Sequence, residues 1–182
     1  MTNVLNALEK FPSTLEERVT ELTAANECLL KEICDQEDIK PDSGWSTSEN
    51  AYHVYITEKG IIRMLQKAIQ SSERIERKTD DALKKEWETI VSFAGNRQER
   101  FNAPSFVVPT NPPKLSDTIS LLIESHANSC DFLKSTSFDE LASIARPHPS
   151  EKIGLISGLG WLTLMAHHKL RHIEQIKELK HT

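Results

Sequence analysis

Of the seven histidines in this 182-residue chain, three have positions that could do chemistry together. His168 and His172 stand four apart in a strongly helical stretch. That spacing stacks two side chains on one helix face, one turn apart, so both imidazoles can reach a single metal ion. His53 is the third candidate, by position. It lies about seven residues from the start of one predicted helix, and His172 lies about seven from the end of another. If those helices are antiparallel neighbours, both rings sit about 10 Å from the same end of a bundle, at 1.5 Å per residue. Three neutral imidazoles leave at least one metal position open, as Lewis-acid or water-activating chemistry requires. The alternative for each ring alone is a core histidine with a satisfied hydrogen bond. Three at one height favour a metal, because burying three unpartnered polar rings is costly.

The elements that must place these rings are four amphipathic helices. The first is expected over residues 13–34, with Ser13 and Glu16 at capping-box spacing and a stripe of Leu15, Val19, Leu22, Asn26, Leu29 and Ile33. The second is expected over residues 46–70, capped by Ser46 and Glu49 behind Trp45. Gly60, in its middle, costs about 1 kcal/mol relative to Ala and is read as room for the close approach of another helix or a ligand. The third should start at Ser116, after Pro112 and Pro113, burying Ile119, Leu122, Ile123, Cys130 and Leu133. The fourth spans about residues 159–179, with Trp161, Met165, His168, His172, Ile176 and Leu179 on one stripe.

Loop lengths set the topology. The short first connection makes helices one and two antiparallel, and the long one over residues 72–115 can cross the bundle. The expected fold is therefore all-α: a four-helix bundle running up-down-down-up, as one domain over residues 1–182. A short extra helix is expected near residues 82–93, carrying Trp87, Ile90 and Val91. Such a segment either covers the bundle or meets a second subunit. Residues 101–113 read as extended and residues 135–158 as irregular.

Other candidates are weaker. His167 points about 100° away from His168, His126 has no height argument, and His148, between two prolines, reads as solvent-facing. Asn26 reads as a core hydrogen-bonding residue, and Trp45 as a hydrophobic staple that could line a pocket. The glycines of residues 154–160 form no phosphate loop, since lysine is missing and no strand precedes them. The formal charge of −5, from 22 basic and 27 acidic residues, gives no footprint for nucleic acid or an anionic membrane. Cys28, Cys34 and Cys130 form no C-x-x-C pair and read as buried free thiols. No signal peptide or membrane-length apolar run is visible, so a cytoplasmic location is expected.

Three stretches give the sequence a family resemblance. GWSTSENAYHVYITEKG (44–60) resembles a tryptophan-capped second helix with a metal histidine, RFNAPSFVVPTN (100–111) an extended segment before helix three, and HPSEKIGLISGLGWLTLMAHHKLRHIEQI (148–176) a last loop and helix ending in H-x-x-x-H-x-x-Q-I. Together they resemble the DinB/YfiT-like superfamily of small four-helix bundles. That resemblance implies a divalent metal, zinc or nickel, on His53, His168 and His172, and a homodimer. It also implies a transferase joining a low-molecular-weight thiol cosubstrate to an electrophilic small molecule. The alternatives are a hydrolase using metal-bound water and a non-catalytic bundle that binds a small molecule or partner.

Overall fold

Thr14, one residue past the expected cap, starts the first helix. Its side chain accepts the Glu17 backbone N–H, and Glu17 reaches back to the Thr14 backbone, closing a capping box. Glu17 also accepts from the Ser13 backbone and hydroxyl, so Ser13 supports the cap without being it. The resulting helix, α1, spans Leu15–Ile33. The expected Ser46–Glu49 box is present and opens α2, Thr47–Gln70. The computed structural model describes residues 9–71, 73–98 and 101–180. Ser72 and Arg100, which open the long connection and its extended stretch, lie outside them.

The extra helix in that connection, α3, is longer than expected, Asp80–Gly95. A 3-10 turn, Ser105–Val107, interrupts the extended stretch. α4 spans Leu115–Lys134, one residue earlier than expected and without a side-chain cap. Residues 135–158 are not irregular. They hold a short helix, α5 (Phe138–Ala142), and an antiparallel hairpin of β1 (Ala145–Pro147) and β2 (Leu155–Ser157), with Arg146 opposite Ile156. Ser157 then caps α6, Gly158–Leu179, by accepting the Gly160 N–H.

Two core clusters mark the two ends of the bundle. One joins Leu22 of α1, Leu65 and Ala68 of α2, Leu133 of α4 and Leu162 of α6. The other joins Ile33, Ala51, Leu115 and Ile176. The early residues of α1 and α6 thus meet the late residues of α2 and α4, which gives the up-down-down-up order. α6 packs against α1, α2 and α3, while α4 packs against α2 and α1. Among the described residues no helix is long and apolar enough to cross a membrane.

The buried face of α4 differs from the expected one. Ile123 is exposed and Cys130 half-buried, while Thr118, Ser125 and Ser129 turn inward with Leu115, Leu122 and Leu133. The reason is polar: Ser129 donates to Glu58 Oε1 (2.9 Å), and Glu58 pairs with Lys169 Nζ (2.7 Å), both fully buried. A buried ion pair needs such further hydrogen bonds. The cysteines are free as expected, but Cys34 is exposed and Cys28 half-buried. Gly60 meets no atom within 4 Å of an added Cβ, so no other helix approaches it closely; it lines the cleft described below.

Candidate metal centre

The sequence placed His53 in the second turn of α2 and His172 near the end of α6, and the antiparallel packing of these helices brings them to one level. The Nε2 of His168 lies 3.2 Å from that of His53 and 3.1 Å from that of His172. All three ligand atoms lie within 4.8 Å of one another. His53 and His172 are buried and His168 is half-buried, open toward a cleft.

The opposite edges of two rings are tied down. His53 Nδ1–H donates to the Val107 carbonyl (2.7 Å), on the 3-10 turn. His172 Nδ1–H donates to Asn50 Oδ1 (2.9 Å). The Asn50 amide is itself oriented, because its Nδ2 donates to the Ser46 (2.9 Å) and Trp45 (3.2 Å) carbonyls. With hydrogens on Nδ1, both rings turn Nε2 lone pairs toward His168. His168 Nε2 carries at most one hydrogen, so it cannot satisfy both lone pairs. A cation can. Nitrogens sharing one zinc ion at 2.0–2.1 Å sit about 3.4 Å apart at a tetrahedral angle, close to the two short separations. The donor set therefore fits a divalent ion.

Electrostatics agree with neutral ligands. Burial, then the neighbouring His53, Arg171 and Lys169, push His168 down to about 3. Burial, then His168 and His53, hold His172 well below the usual imidazole range. Burial lowers His53. Metal ligation requires the unprotonated form these shifts favour.

The triad opens onto a cleft of about 1780 Å³. Its walls come from α2, the end of α3, the 101–107 stretch, the hairpin turn and α6. Trp45 is more than a staple: its ring lies 4.7 Å from that of His53 and 6.2 Å, nearly parallel, from that of His172. His148 is not solvent-facing but half-buried on the cleft wall, where its ring meets Trp161. His167 stays out of the site, as expected, and pairs with Glu21 of α1 (3.1 Å). His126, half-buried on α4, faces Cys130 Sγ (3.5 Å). Asn26 is buried on α1 with no partner for its Oδ1 among the described residues.

Sequence reasoning missed Asn50, Val107 and His148. Asn50 precedes His53 by one helical turn, a spacing visible in the sequence. Val107 acts through its backbone, which carries no residue signal.

The family model of the DinB superfamily matches residues 7–176. Among solved structures the chain is similar to YfiT from Bacillus subtilis, described as a probable metal-dependent hydrolase with an unusual four-helix bundle topology. The two are 17% identical with a TM-score of 0.62, over 92% of this chain and 86% of that one. A likeness at that identity is one of fold. Among curated proteins none matches.

Proposed function

The chain belongs to the DinB superfamily, and from that membership and the triad we propose a divalent-metal-dependent enzyme that joins a low-molecular-weight thiol to an electrophilic small molecule. His53, His168 and His172 hold the ion, zinc or nickel. The observation that carries this reading is the convergence of three Nε2 atoms, two of them with their lone pairs fixed inward by outward Nδ1–H bonds. A cation held there supplies the positive charge that favours the thiolate form of a thiol cosubstrate.

The chain's own residues position that chemistry. Asn50 and the Val107 carbonyl choose the tautomers, and Trp45 covers one side of the triad. The cleft, about 1780 Å³ and open to solvent, has room for a thiol and an electrophile side by side.

A second reading, metal-dependent hydrolysis, is favoured by the description of the YfiT structure. The test has two parts. Equilibrium dialysis against zinc or nickel should leave one ion per chain in the wild type and none in His172→Ala. The loaded protein should then consume monochlorobimane only when glutathione, bacillithiol or mycothiol is added. Turnover of an ester panel without thiol would replace the transferase reading with the hydrolase one. Metal uptake with no turnover in either panel is the result expected of a non-catalytic binding bundle.

A further inference from the structure

His148 shares the cleft with the triad but is not part of it. Its place is fixed in three ways. Its backbone N–H donates to the Gly154 carbonyl (2.7 Å), closing the hairpin turn, where Gly154 has a φ of +68°. Its Nδ1 accepts the Ser150 backbone N–H (3.0 Å). Its ring packs edge-on to Phe93 (centroids 5.5 Å apart) and tilted against Trp161 (5.7 Å). Phe101, tilted against Phe93 at 4.4 Å between centroids, extends the same aromatic wall along the cleft.

Because Nδ1 is an acceptor, the neutral ring carries its hydrogen on Nε2. Among the described residues no hydrogen bond reaches that Nε2. Burial lowers the His148 pKa, which favours the neutral ring. The hairpin thus places an uncharged donor, set among aromatic side chains, on the wall of the cleft that also holds the triad.

We propose that His148 and this wall form the subsite of the electrophile, a planar aromatic or conjugated molecule whose oxygen accepts a hydrogen bond from Nε2–H. The proposal rests on reading the cleft as a substrate site beside the triad. A neutral donor fixed in advance suits an oxygen that gains negative charge when a nucleophile adds to the conjugated system. Offset or edge-on packing on Phe101 and Trp161 would hold the ring plane.

The probe is meta-dinitrobenzene, which has acceptor oxygens and no leaving group, titrated into the full-length protein. Binding is followed by tryptophan fluorescence and by the NMR signals of His148 and Trp161. Saturable binding is expected, weakened about tenfold in His148→Phe, which keeps a ring and removes the donor. His148→Gln, which keeps an N–H, should recover part of the loss. Meta-xylene, without acceptors, should bind wild type and His148→Phe equally. If His148→Phe loses its far-UV circular dichroism, His148→Gln against wild type with both probes decides.

Equal dinitrobenzene affinity in the wild type and the folded variants overturns the proposal, as does an absence of saturable binding. Each titration is run with and without zinc, and bound zinc is measured. A failure of the metal reading appears as no zinc uptake by the wild type, whereas a failure of the subsite appears in the metal-free titrations.

Discussion

Single residues decide how well the triad can hold an ion, and Asn50 is the most testable of them. It is buried, and its Oδ1 is the acceptor for the His172 Nδ1–H. Removing it leaves that hydrogen unpaired and frees the ring to rotate or change tautomer. Outer partners of this kind are worth about 10–100-fold in metal affinity. Asn50→Ala should therefore weaken zinc binding by about that factor, measured by competition with a chromophoric chelator, while the helical circular dichroism is unchanged. Unaltered affinity would mean that helix packing alone orients His172. The corresponding partner of His53 is a backbone carbonyl, so no substitution isolates it.

At the scale of the elements, two glycines behave in opposite ways. In α2, Gly60 has open space around it, so Gly60→Ala should stabilise the protein by about 1 kcal/mol through helix propensity. At the start of α6, Gly158 is different: an added Cβ would lie 2.8 Å from the Leu141 backbone carbonyl and 2.9 Å from its side chain. α5 rests on α6 at that point, and Gly158→Ala should cost about 1–3 kcal/mol. Urea denaturation of both variants checks the signs.

The Glu58–Lys169 pair joins α2 to α6 beside the triad, Lys169 following His168 directly, with Ser129 of α4 as a third partner. Lys169→Met strands a buried carboxylate, at a cost of about 3–5 kcal/mol. The double variant Glu58→Leu with Lys169→Met should regain most of that. A double variant as unstable as the single one would show that packing, not charge, is at stake.

For the whole molecule, the proposed ligands come from two helices, with His53 and His168 separated by 115 residues in sequence, so an ion bound only to the folded state must stabilise all of it. At a hundredfold excess over Kd the gain is about 2.7 kcal/mol, or roughly 5–10 °C in Tm for a chain of this size. His172→Ala should abolish that increment. His167→Ala should keep it, although its baseline Tm falls because Glu21, buried on α1, loses its partner. Equal loss of the increment in both variants would undo the ligand assignment.

Assembly looks different once α3 is in place. Ile90 is buried against the bundle, and Trp87 packs edge-on to Phe11 of the same chain at 6.0 Å. The proposed homodimer would therefore not be anchored on Ile90. Light scattering giving 20.6 kDa at micromolar concentration would exclude it.

What the sequence determined by itself was where the helices run and which way they pack. The 3.6-residue repeat located the four bundle helices, the Ser46–Glu49 spacing fixed the start of α2, and loop lengths gave the order of directions. The i, i+4 pair and the height argument then selected His53, His168 and His172 from seven histidines. Tertiary structure decided whatever depends on polar partners distant in the chain. Ile123 is exposed because α4 turns serines toward a Glu58–Lys169 pair that no local pattern announces. His148 reaches the cleft because a hairpin with little periodic signal folds its proline-flanked turn inward. The Nε2 lone pairs face one another because a backbone carbonyl and an asparagine hold the Nδ1 edges. Periodicity reports burial along one element, whereas a ring's tautomer and aim are set by hydrogen bonds from other elements, and those exist only after the elements have packed.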